Sequence, residues 1–155
     1  MTDKIYQHLS KKGLKVTPQR IAVLKAINSS DNHPAADDVI GFISKHHPHI
    51  GKGTVYRVLD TLAGKGIIGK VKTDSGVMRY DPVTSRHHHL YCADSERIED
   101  YNDDELNRIL DAYFKKKKIK GFIIDDLKLQ IVGRFSGEGG RSKSGGKAGK
   151  GKLIK

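Results

Sequence analysis

In the stretch RYDPVTSRHHHLYCADSERIEDY, from Arg79 to Tyr101, three consecutive histidines stand between acidic residues, and that combination can ligate a metal ion. On a strand, residues two apart share a face, so His87 and His89 point one way and His88 the other. Their Cα atoms would then lie about 6–7 Å apart, close enough for two imidazoles to share an ion. Neutral imidazole suits iron, zinc, nickel and copper, and carboxylates shift the preference toward harder ions such as manganese and ferrous iron. Asp81 lies just upstream, Glu99 and Asp100 fall on the next expected strand, and His33 sits at a helix start far earlier in the chain. An isolated H-x-H in a basic chain is more often exposed polar surface than a ligand pair. Carboxylates on both flanks weigh against that plainer reading. His8, His46, His47 and His49 have no such neighbours and are assigned no role. Cys92, three residues after His89, points away from both histidines and reads as a buried small side chain.

The elements that must position these residues begin with four helices. Ile5 and Leu9, with Tyr6, mark a short opening helix ending near Gly13. In GLKVTPQRIAVLKAINSS, Thr17 can cap a helix, Pro18 fits its first position, and Ile21, Val23, Leu24 and Ile27 form an apolar stripe. HPAADDVIGFISKHHP reads as a third helix, stopped by Pro48. From about Lys52 to Ala63, Val55, Val58, Leu59 and Leu62 stand at i, i+3, i+4 and i+7. That stripe leaves Lys52, Thr54, Tyr56, Arg57 and Thr61 on or near the outer face. Ile67 to Val71 and Val77 to Tyr80 then read as a hairpin around the turn TDSG. Helices, a polar-faced helix and a hairpin follow one another in a winged helix-turn-helix, where the polar face enters the major groove. Arg57 could reach a guanine edge or a phosphate, and Tyr56 a thymine methyl or a phosphate. A helical domain whose polar face meets only water is the alternative; the hairpin and the basic charge favour DNA.

Beyond Asp81 the pattern changes. HHLYC and ERIEDY read as short strands, and DDELNRILDAYFKKKK as a helix with an acidic start and a basic end. Leu106, Ile109, Leu110 and Tyr113 or Phe114 line one face of it. Leu127, Leu129 and Ile131 alternate with polar residues as in a half-buried strand. This half carries little core of its own, so pairing with a second copy would complete it. The formal charge is +11, and from Ser136 onward six cations face one anion. A basic body with a basic Gly/Ser/Lys-rich tail suits a polyanion, nucleic acid above all. One cysteine excludes an internal disulfide. No apolar run is long enough to cross a membrane, and the N-terminus lacks a signal-peptide core, so a cytoplasmic protein with no membrane partner is expected.

GLKVTPQR, HPAADDV, GTVYRVLDTL and RYD…HHHLYC, in this order, resemble the ferric-uptake-regulator (Fur) family of metal-dependent repressors, over roughly Lys4 to Phe135. The resemblance implies an α/β (α+β) fold: a winged-helix DNA-binding domain over 1–81, a hinge over 82–86 and an α/β dimerisation and metal-sensing domain over 87–135, followed here by a disordered basic tail over 136–155. It implies a homodimer on a palindromic double-stranded DNA operator, contacted by Lys15, Lys52, Thr54, Tyr56 and Arg57. It also implies a regulatory site of His33, Asp81, His87, His89 and Asp100 holding ferrous iron or manganese, with zinc possible in vitro. Aspartate at both acidic positions is the pattern of the peroxide-sensing (PerR-type) branch; iron-sensing members usually carry glutamate at one or both. Two departures stand out. Many relatives hold a structural zinc with two C-x-x-C pairs, whereas this chain has CADS and FSGE, so no four-thiolate structural zinc is expected. A further site in many relatives uses a histidine near the last strand; DDLK stands there, so that site is expected to be missing or weak.

One ion held by both halves would tie them at a fixed angle, and peroxide meeting ferrous iron there would oxidise His33 or His87 and release the DNA. Since coordination needs neutral imidazoles, affinity should fall below about pH 6. No small-molecule substrate other than peroxide is expected, and no enzyme activity. An iron-level sensor without peroxide chemistry is the nearest rival reading. A small non-haem metalloenzyme, or a DNA-compacting protein driven by charge, are rivals of other classes.

Overall fold

The computed structural model of this 155-residue chain describes residues 2–30, 33–82, 85–137 and 153–154. It divides into two compact units, Met1–Ser85 and Arg86–Lys155.

The first unit contains α1 (Thr2–Lys11), α2 (Pro18–Asn28), α3 (Ala36–His46), α4 (Lys52–Gly64) and a hairpin of β1 (Gly69–Lys72) and β2 (Met78–Asp81). Local chemistry satisfies orphan N–H groups at the helix starts. Thr17 Oγ1 accepts from Arg20 N at 3.3 Å to cap α2, with Pro18 at the first helical position. The Asp38 carboxylate accepts from Ala35 N at 2.9 Å to close the first turn of α3. Leu9, Val23, Ile27, Val39, Ile43, Val55, Leu59 and Leu62 fill the core between the helices. The expected hairpin starts later than its apolar run suggests. Ile67 and Ile68 are buried, but they belong to the exit of α4: Gly66 takes φ +68° and Ile67 N donates to Leu62 O at 2.9 Å. The strands then pair Lys70 with Tyr80 and Val71 with Arg79 around the expected turn, where Gly76 adopts φ +78°.

The second unit is a four-stranded sheet in the order β4-β3-β5-β6, with α5 (Asp104–Lys116) between β4 and β5. Strand β3 (His88–Tyr91) runs antiparallel to β4 (Ile98–Tyr101) and parallel to β5 (Gln130–Val132). Strand β5 is shorter than the alternation of Leu127, Leu129 and Ile131 predicts. Leu129 is buried, yet it precedes β5, and its carbonyl accepts from His89 N at 3.0 Å. None of the residues of α5 is buried in this unit, and the expected apolar face leaves Ile109 and Tyr113 more than half exposed. The tail was expected to be disordered throughout; Leu153–Ile154 instead form β6, antiparallel to β5. Residues 138–152 and Lys155 of that tail, and Val83 and Thr84 of the expected hinge, lie outside the described residues.

Candidate metal centre and nucleic-acid interface

In the first unit, His33 and Asp81 come from segments 48 positions apart and meet because the loop before α3 is sewn onto β2. Tyr80 N donates to Pro34 O at 2.8 Å, Arg79 Nη1 donates to His33 O at 3.1 Å, and Ala35 forms an antiparallel bridge with Arg79. This places His33 Nε2 3.4 Å from Asp81 Oδ2, with the two residues 9% and 2% exposed.

In the second unit, the β3–β4 register sets His89 opposite Asp100, so the two side chains share a face. His87 joins them: its Nε2 lies 3.1 Å from His89 Nε2 and 3.4 Å from Asp100 Oδ1, and His89 Nε2 is 3.5 Å from that same oxygen. Both imidazoles are buried. Glu99, the other acidic candidate on this strand, faces elsewhere and pairs with Arg97. Donor separations of 3.1–3.5 Å are what ligands about 2.1 Å from a shared cation would show at angles of roughly 95–113°. Two imidazole nitrogens and a carboxylate oxygen therefore fit a divalent first-row ion in both spacing and chemistry. A histidine and a carboxylate at the spacing found in the first unit fit one equally.

His88 does something different. It is fully buried; its Nδ1 accepts from Leu129 N at 3.0 Å and its Nε2 donates to Asn107 Oδ1 at 2.7 Å. These two bonds use both ring nitrogens and pin β3 to α5 and to the lead-in of β5. Asn107 was missed from sequence, since nothing in its helical context distinguishes it. Arg79, 46 residues from the carbonyl it holds, was missed for the same reason.

At CADS and FSGE, where no C-x-x-C pair stands, this chain places other chemistry. The Cys92 thiol is held below its ordinary range, first by a hydrogen bond with Ser95. The Arg97 guanidinium lies 4.0 Å from the centre of the Phe135 ring. In DDLK, the Asp126 carboxylate accepts from the neighbouring Leu127 N at 2.8 Å. His46, assigned no role, stacks on Phe42 with ring centres 4.2 Å apart.

The expected DNA-facing residues lie on the outer side of the first unit. Lys52, Tyr56 and Arg57 are exposed and Thr54 is half-buried, because Val55, Val58, Leu59 and Leu62 turn the opposite face of α4 into the core; Lys15, in the segment before α2, is exposed as well. Arg57 Nη2 donates to Thr54 Oγ1 at 3.3 Å, and Arg20 Nη1 donates to Lys15 O at 2.6 Å. Lys70 of β1 stands 3.6 Å from Asp60 of α4, linking hairpin to helix. Among the described residues, no helix is long and apolar enough to cross a membrane.

Residues 11–132 match the sequence model of the Ferric uptake regulator family. The chain is 30% identical over 136 residues to the Ferric uptake regulation protein of Bacillus subtilis, covering 84% of this chain and 89% of that one. It is 33% identical over 101 residues to the Peroxide-responsive repressor PerR of Staphylococcus aureus, covering 65% and 68%. The Ferric uptake regulator of Pseudomonas aeruginosa, solved with manganese, matches its fold with a TM-score of 0.70 at 26% identity, over 85% of this chain and 98% of that one. The regulator from Francisella tularensis, solved with iron, matches with a TM-score of 0.66 at 26% identity, over 80% and 93%. A family match of this extent, on a winged-helix unit followed by a small α/β unit, makes the chain a member of the ferric uptake regulator family, metal-dependent transcriptional regulators rather than enzymes.

Proposed function

We propose that the protein is a cytoplasmic, metal-dependent repressor that binds a palindromic operator as a homodimer and releases it when peroxide oxidises a ferrous site. His33 and Asp81 of the first unit, with His87, His89 and Asp100 of the second, would hold one ferrous or manganous ion. The observation that carries this reading is that each unit brings its share of ligands together in a compact set, with every residue but Asp100 buried. On this reading 1–81 is the DNA-binding domain, 82–86 the hinge and 87–135 the dimerisation domain. A second copy covering the exposed Ile109, Tyr113, Phe122 and Ile123 would account for an apolar surface that the second unit leaves uncovered.

The ligand residues do the coupling. Sharing one ion between two sets on different units selects one interdomain angle from many, a population shift. In a two-fold dimer that angle spaces the two α4 helices about one DNA turn apart, as half-sites of a palindrome require. Ferrous iron held there would activate peroxide by passing through a higher oxidation state and returning with no net change, which manganese does not readily do. A ring C–H of His33 or His87 would take up one oxygen of hydrogen peroxide while the other leaves as water, the two electrons coming from the ring, and the oxidised ring would be a poorer ligand. Aspartate at both 81 and 100 supports the peroxide-responsive reading. The match over 89% of the Bacillus subtilis Ferric uptake regulation protein favours an iron-level sensor as the second reading.

The test is DNA binding and metal content of protein loaded anaerobically with iron, manganese or zinc, before and after peroxide. Iron-loaded protein should lose DNA and gain about 16 Da on the peptide carrying His33 or His87, one oxygen atom on a histidine ring. Equal behaviour of iron- and manganese-loaded protein would remove the peroxide reading and leave the iron-level one.

A further inference from the structure

We infer that Arg79 is a positioning residue for the metal half-site of the first unit, and that through it the ion stiffens the wing directly. The inference rests on the metal reading above and assigns a role to a residue that is not among the ligands or the DNA contacts named above. His33 stands on the loop before α3, outside the strands and helices that would otherwise fix its backbone. Two contacts fasten that loop to β2: the antiparallel bridge of Ala35 with Arg79, which includes the Tyr80 N to Pro34 O bond, and Arg79 Nη1 to His33 O. The second of these grips the backbone of the ligand residue itself. Its donor is a half-buried guanidinium, and the charge of that donor strengthens the 3.1 Å bond. Asp81, the second ligand, ends the same strand. Arg79 and Tyr80 therefore hold both partners of the His33–Asp81 pair to one short piece of backbone.

That piece of backbone is also half of the wing, where Arg79 pairs with Val71 and Tyr80 with Lys70. Drawing His33 Nε2 and Asp81 Oδ2 onto one cation tightens the loop against β2, and the β1–β2 ladder carries the constraint into the hairpin. A metal ion would thus act on the DNA-binding unit in its own right, besides fixing an interdomain angle. Residues behind metal ligands are typically worth about 10–100-fold in affinity.

The experiment is a manganese titration by calorimetry on five full-length proteins: wild type, Arg79→Met, His33→Ala, the double variant and, as the conservative control, Arg79→Lys. Arg79→Met should weaken manganese binding about tenfold, and Arg79→Lys should restore part of it. In the His33→Ala background, Arg79→Met should change affinity less than about twofold, since a residue acting through His33 has nothing left to position. An undiminished affinity in Arg79→Met, or the same loss with and without His33, overturns the role given to Arg79. If His33→Ala itself leaves manganese affinity at the wild-type value, the metal reading falls, and this inference with it. Hydrogen exchange on wild-type protein covers the case of a misfolded variant. Manganese should slow exchange at the Tyr80 amide, which bonds to the loop, and at Val71, which pairs with Arg79 across the hairpin; an unchanged rate at Val71 at saturation contradicts the coupling to the wing.

Discussion

Replacing Arg57 with glutamine tests whether the outer face of α4 meets a DNA backbone. The side chain is exposed on that helix, and its guanidinium is bonded to the neutral Thr54 hydroxyl, so its charge remains available to a phosphate. Each phosphate neutralised adds about 0.9 to the slope of log affinity against log salt. A two-fold dimer carries Arg57 twice, so Arg57→Gln should lower the slope by about 1.8, and over a rise from about 50 to 200 mM salt the variant should lose roughly 12-fold less affinity than wild type. Lys70→Gln should lower the slope by less, because Lys70 already stands 3.6 Å from Asp60. Neither exposed substitution should move stability by more than about 0.5 kcal/mol. The assay is fluorescence anisotropy of manganese-loaded protein on a duplex selected by the wild type, across that salt range. A wild-type slope in Arg57→Gln would refute the reasoning.

Asn107→Leu removes the acceptor of the buried His88 Nε2–H and should cost about 1–3 kcal/mol, read as a lower urea midpoint at unchanged m-value. The Asp103 carboxylate, which caps α5, is held below its ordinary range by the Leu106 N–H first and then by the Tyr101 hydroxyl. A depressed folded-state value stabilises above the unfolded carboxylate range near about pH 4, and that contribution is lost as pH falls through the folded value. Asp103→Asn should therefore flatten the acid limb of the stability profile while keeping a competent cap, measured by thermal melts from neutral pH downward.

Local chemistry made much of this molecule legible before its structure. Thr17 and Pro18 mark the start of α2, and the spacing of Val55, Val58, Leu59 and Leu62 assigns the two faces of α4. Strand periodicity separates His87 and His89 from His88, as the hydrogen bonds require. What stayed illegible depends on distant partners. Ile67 and Ile68 look like strand because they are apolar and consecutive, but their burial comes from the capped exit of α4. Leu129 alternates like a strand residue because it is buried, while the ladder begins only at Gln130. The apolar face of α5 finds no cover within its own unit. Arg79 and Asn107 each act across long stretches of chain, where spacing carries no signal.

The claim that one cation couples ligands from both units is tested most directly by titrating manganese while following operator binding. Wild type, His33→Ala, Asp81→Ala and His89→Ala would be compared on the same selected duplex. The account predicts a manganese-dependent gain in operator affinity for wild type, with the response flattened in all three variants, whichever unit bears the change. A response to manganese as large in His33→Ala or Asp81→Ala as in wild type would contradict it.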